Sequence, residues 1–205
     1  MRAPKSETLT LNDDTYASHP GLVLLSQSKL KRLEPDLFPS WWWKVCNAAA
    51  WKKLEYFRIH IEEHLNNGDS RAAIVLKTRP LVVAAYTDEL DCVALLRFPG
   101  ELAVEDNLKE GSRLLTVNTY RWREQGIAPD LTFGEGDYKR YGNFAPFIAE
   151  FLSDDKEHIE QRKAQIGEDE WQRTWQMANE YVTRCGWIAR DGCPSFCDKP
   201  AQKAK

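Results

Sequence analysis

The chain has 205 residues, 42% of them apolar and 29% charged, with a formal net charge of −3. That is enough chain and apolar side chain for one cored domain, and too little polar bias for disorder. The acidic balance also excludes the broad basic field that grips nucleic acid without regard to sequence, so nucleic acid is not the expected partner.

Residues 1–20 are polar and read as a flexible N-terminal arm, with room for one short strand at Thr8–Leu11. They carry no apolar core of the kind a secretion signal needs. No window approaches the ~20 apolar residues of a spanning helix, which predicts no membrane partner. The five cysteines are odd in number and irregular in spacing, so reduced thiols in a cytoplasmic protein are expected.

Ser28–Leu33 reads as a helical turn before Glu34-Pro35, and Ser40 is placed to cap the next helix. From Trp41 to about Asn66, Ala50, Leu54, Phe57, Ile61 and Leu65 recur at spacings of four and three, one stripe of a helix. Trp41, Trp42 and Trp43 open it. Successive residues lie about 100° apart on a helix, so these three rings cannot all face one core. Either another segment wraps that end or a ring waits for a partner.

Arg71–Gly100 holds three short apolar runs, Ala72–Leu76, Leu81–Ala85 and Cys92–Leu96, with brief polar breaks between them. Runs this short read as strands, and breaks this short return the chain antiparallel. The runs are apolar at nearly every position, which predicts a sheet covered on both faces. Pro99–Gly111 is an acidic connection with room for one helical turn. Arg113–Tyr120 alternates apolar and polar residues and is expected as a half-exposed fourth strand at one side of the sheet. Residues 121–142 predict a long irregular loop, a kind of segment that often carries function.

Asn143 is expected to cap a short helix bearing Phe144, Phe147, Ile148 and Phe151. A polar helix follows from Ser153 to about Ile166. Another runs from Glu168 to Cys185, with Trp171, Trp175, Ala178, Val182 and Cys185 as its apolar stripe and Tyr181 at the margin. The expected class is α+β. An antiparallel three- to four-stranded meander (about 72–120) is covered by an N-terminal helix (about 41–66) and by C-terminal helices (about 144–185). Residues 21–190 form a single domain, and 191–205 a loose basic tail.

Four patterns carry candidate chemistry. His60 and His64 share a helix face with Glu63 beside His64, the H-x-x-E-H order in which two histidines hold zinc and the glutamate acts as base. The plainer assignment is two histidines packing with satisfied ring nitrogens. Cys185, Cys193 and Cys197 supply thiols for zinc, but only the second spacing suits a zinc knuckle. Reduced, separate thiols are the simpler account, so no cofactor is assigned; zinc is the ion either set would take. Gly134-Glu135-Gly136-Asp137 superficially resembles a phosphate loop, yet its acids would repel phosphate. Arg121-Trp122-Arg123 and Tyr138-Lys139-Arg140-Tyr141 interleave cations with rings, a mixture found at binding hot spots.

With eight tryptophans in the chain and no complete catalytic set in the sequence, binding is favoured over catalysis. The expected partner is a protein, with an inhibitor, immunity or adaptor type of role. Docking would use Trp41, Trp42 and the aromatic–basic stretch Arg121, Trp122, Arg123, Tyr138, Lys139, Arg140 and Tyr141; a homodimer is a second use of the same rings. The alternatives are a small metal-dependent hydrolase on His60, Glu63 and His64, and a nucleic-acid binder on Arg121, Arg123, Lys139 and Arg140.

Overall fold

The computed structural model describes residues 17–201, so Thr8–Leu11 and most of the expected arm lie outside the described residues. The class is α+β, built on one mixed, curled sheet. Its strands are β1 (Asp69–Thr78), β2 (Leu81–Thr87), β3 (Cys92–Phe98), β4 (Arg113–Trp122), β5 (Tyr141–Ile148) and β6 (Arg190–Asp191), in the order β5-β4-β1-β2-β3-β6. The expected meander is its centre: β1, β2 and β3 pair antiparallel through tight turns. Among the described residues, no helix is long and apolar enough to cross a membrane.

Two expectations fail together. β4 does not lie at the side of the sheet, because the chain from 141 to 148 is a strand and covers its outer edge. The predicted helix at Asn143 is therefore absent. Pro146 opposes Asn118 on the outermost strand, where a missing N–H is tolerated. The polar alternation of β4 marks internal hydrogen bonds instead of a wet face. Thr116 Oγ1 donates to Asn118 Oδ1, and Asn118 Nδ2 donates to the Tyr86 carbonyl, all buried. β6 adds a short parallel pairing on β3.

Helices cover both faces, as the unbroken apolar strands required. The expected 41–66 helix is two, α2 (Trp41–Cys46) and α3 (Ala48–Asn67), broken at Asn47. Ile61 and Leu65 of α3 meet Ala73, Val75, Val83 and Leu96 in the main core. α1 (Gln27–Leu33), capped by the Ser26 hydroxyl, joins the same core through Leu30 and Leu33. The acidic connection forms one short helix, α4 (Glu101–Glu105). α5 (Lys156–Lys163) is capped by the Asp155 carboxylate.

On the opposite face α6 (Glu168–Cys185) sets Ala178 and Tyr181 against Leu76, Val82, Ala84 and Leu95, and Trp171 against Ala72 and Ile74. Its buried stripe is Trp171, Thr174, Ala178 and Tyr181. Trp175, expected inside, stands 42% exposed. Trp171 and Thr174 face the sheet together, which turns Trp175, 100° beyond Thr174, toward solvent.

The sheet curls until side chains of β3 and β5 touch: Leu90, Cys92 and Ala94 pack with Tyr120, Tyr141 and Phe144. Arg190 closes the curl. It is 1% exposed and pairs with Asp130 through two nitrogens. It also donates to Asn143 Oδ1 and to the carbonyls of Phe144 and Cys197. Asp130 in turn accepts from Ala201 N. The stretch 191–201, expected to hang loose, is therefore tied to the body, with Cys197 in the core.

Candidate functional site

The aromatic–basic stretch is folded onto its own chain. Arg121 pairs with Asp198, and Arg123 pairs with Asp137 while donating to the Tyr141 carbonyl. Trp122 packs on Tyr141, itself buried and stacked on Tyr120. Arg140 lies over the Tyr141 ring and reaches Glu89 at 4.0 Å. Tyr138 and Lys139 are exposed, Lys139 in the left-handed region at φ 61°. Of the seven candidates from this stretch, only these two project freely.

The glycines between these aromatic ends have a structural task. Gly134 N donates to the Asp91 carbonyl and Gly136 N to Asp91 Oδ2. A Cβ on Gly134 would lie 2.2 Å from Asp91 Oδ2 and 2.6 Å from its carbonyl oxygen, so no larger residue fits. The segment captures an anion, but the anion is the chain's own carboxylate. Burial pushes the Asp91 carboxyl up; Arg173 of α6, the Gly136 N–H and the Tyr86 hydroxyl outweigh it and hold it below its usual range.

His60 and His64 do not present a shared metal face. His64 is buried and stacked on Phe147. Its Nε2 lies 2.9 Å from the Val117 carbonyl and Nδ1 3.1 Å from Thr119 Oγ1. A carbonyl only accepts, so Nε2 carries the proton and Nδ1 takes the Thr119 hydroxyl. Burial lowers the His64 pKa to about 4, which keeps the ring neutral near pH 7. His60 Nδ1 is 2.9 Å from the Tyr56 carbonyl, and Glu63 is half-buried. Cys193 and Cys197 share one turn of the tail, with burial pushing the Cys193 thiol up to about 12, while Cys185 ends α6. Among the described residues, no three His, Cys, Asp or Glu side chains are grouped as a metal site requires.

Two larger cavities flank the core. One of about 640 Å³ holds Lys29, Glu150 and Lys163, but these already engage each other or nearby carbonyls. Glu150 accepts from Leu115 N at the point where β5 has ended. Burial lifts its carboxyl to about 7, against the pull of Lys163. The other, about 530 Å³, lies between α3, β4, β5 and the tail, and contains His64, Arg121 and Asp198 in the pairings above.

The tryptophan run is different. Trp41 and Trp42 are 61% and 64% exposed and stack on each other, ring centroids 3.9 Å apart. Trp43 and Val45 of α2 and Tyr56 and Ile59 of α3 are exposed as well. Apart from Lys44 and Cys46, α2 is made of large apolar residues, and Trp41, Trp42, Trp43 and Val45 all stand in solvent. Trp51 is half-buried under Arg58, Trp187 is 45% exposed with Lys77 over its ring, and Trp171 is in the core. The sequence pointed to Trp41 and Trp42. It missed Tyr56 and Ile59, which sit on the solvent side of the α3 stripe, Tyr56 with its ring on His60.

Comparison of the chain with protein-family models, with curated proteins and with solved structures gives no match in any of the three.

Proposed function

We propose that this chain is a cytoplasmic binding module, acting without catalysis, that docks another protein on the outer face of α2 and α3. The observation that carries it is the exposed group Trp41, Trp42, Trp43 and Val45 on the short helix α2, with Tyr56 and Ile59 exposed further along α3. Four large apolar side chains exposed on one six-residue helix are the kind of surface that marks an interaction site. Tryptophan and tyrosine dominate hot spots because they bury much area at little entropic cost. The partner fits an inhibitor, immunity or adaptor arrangement, in which a fixed surface is offered to one protein.

The aromatic–basic stretch is a weaker candidate, since its arginines are already paired. The test is a binding measurement on the complex isolated from the source cells. Trp42→Ala with Tyr56→Ala is expected to weaken the complex at least about 30-fold, the scale of one hot spot. The melting temperature should hold, because both rings are exposed. Tyr138→Ala should leave affinity unchanged. The opposite pattern would return the interface to the 121–142 stretch, and capture of a second copy alone would replace the partner by a homodimer.

A further inference from the structure

The chain carries a net charge of −3, yet from Leu37 to Leu54 it has three lysines and no acid. This acid-free stretch holds all of α2 and the first two turns of α3, and it is the segment that exposes Trp41, Trp42, Trp43 and Val45. α3 follows α2 without a loop: the Trp43 carbonyl accepts from Asn47 N, and the Asn47 carbonyl accepts from Trp51 N. At a rise of about 1.5 Å per residue, Lys52 and Lys53 lie at most roughly 15 Å of helix beyond Trp43.

The positive charge is surplus within the chain. Lys52 and Lys53 are exposed and make no ion pair among the described residues. Arg58, further along α3, is neutralised by Glu55. Neither α2 nor α3 has an acid in its first turn, and neither Ser40 nor Asn47 caps with its side chain. A helix start carries partial positive charge, so lysines without acids there raise the local potential. α6 shows the usual compensation, with Glu168, Asp169 and Glu170 in its first turn. Beyond Glu55, acids return on α3 only at Glu62 and Glu63, past Tyr56 and Ile59.

Shape decides between the anionic surfaces that this charge would attract. Successive residues of α2 differ by about 100° in azimuth, so Trp41 to Trp43 span about 200°, more than half of the helix. A lipid surface is flat at this scale and takes one side of a helix. A protein groove encloses more of it, and its lip meets the turns that follow.

Given docking on α2 and α3, on which this rests, we propose that the partner is a protein with an apolar groove for α2 and carboxylates on the lip beside Lys52 and Lys53. Charge pairs at a rim act mainly on the association rate, whereas rings buried in a groove act on release. The test uses the full chain and the protein recovered with it in the complex isolated from the source cells. A carbodiimide joins a lysine amine to a carboxylate in contact, forming an amide with loss of water. It should link Lys52 or Lys53 to an Asp or Glu of that protein. Association, followed by tryptophan fluorescence, should slow at least about fivefold between about 50 and about 300 mM NaCl. Lys52→Glu with Lys53→Glu should slow it at least about tenfold at the lower salt, with the melting temperature unchanged. Trp42→Ala should act on the dissociation rate instead. No weakening by Trp42→Ala would remove the docking reading itself. Weakening by Trp42→Ala, with no lysine cross-link and an association rate indifferent to salt and to both lysines, would leave docking standing and overturn the acidic lip. Vesicles of phosphatidylcholine, alone and with about 30% phosphatidylserine, complete the test. Saturable, Trp42-dependent binding to the anionic vesicles would overturn the proposal in favour of a lipid surface.

Discussion

Two glutamates finish strand edges that have no neighbouring strand. Glu150 accepts from Leu115 N, where β5 ends, and Glu170 accepts from Ala72 N, beyond the end of the β1–β2 pairing. Burial lifts Glu150 from 4.5 to about 7, so the folded chain holds this proton over a range in which the unfolded chain has lost it. Its stabilising effect is complete below the unfolded pKa and is lost as pH rises through about 7. His64 acts in the opposite sense. Its pKa falls from 6.5 to about 4 on burial, so stability declines as pH drops through that window. Urea midpoints should therefore rise from pH 8 toward 6.5 and gain less, or fall, below it. Glu150→Gln keeps a carbonyl for Leu115 N and removes the charge. It should be more stable than the parent by about 1–3 kcal/mol at pH 8, with no advantage at pH 5. An equal difference at both pH values would show that Glu150 does not titrate as described.

At the scale of elements, the face a helix buries decides which aromatic residue matters. Trp171 is 3% exposed on α6 and Trp175 is 42% exposed. Trp171→Ala should cost about 3–5 kcal/mol, as a large core deletion does, and Trp175→Ala less than about 1. Denaturant midpoints that shift equally would mean the α6 stripe is wrongly placed. Positions 171, 174, 178 and 181 and positions 171, 175, 178 and 182 both fit a 3.6-residue period, so periodicity alone cannot choose between them. The meander was legible for a local reason: short apolar runs with four- and six-residue breaks return the chain antiparallel. β5 was not. Asn143–Phe151 supports either a capped helix or an edge strand, and the outer edge of β4, remote in sequence, settles it.

For the whole molecule, closing the curled sheet depends on Arg190, which joins β6, β5, the 123–140 connection and the tail through Asp130. Arg190→Met leaves Asp130 buried without its partner and should cost about 3–5 kcal/mol; Arg190→Met with Asp130→Leu should recover much of that loss. Nothing local to Arg190 announces this, since its carboxylate partner Asp130 and its β5 partners lie 46 to 60 residues away. The exposed aromatic surface was half legible. Three adjacent tryptophans on a helix state their own surplus, while the paired arginines of 121–140 resemble a binding loop until their partners Asp137 and Asp198 are in place. The most direct test is in-cell photo-cross-linking with benzoylphenylalanine at Trp42, at Tyr56 and at Tyr138. A discrete heteroprotein adduct from positions 42 and 56, with none from 138, is the predicted result. An adduct from 138 alone, or none from 42 and 56, would contradict a partner docked on α2 and α3.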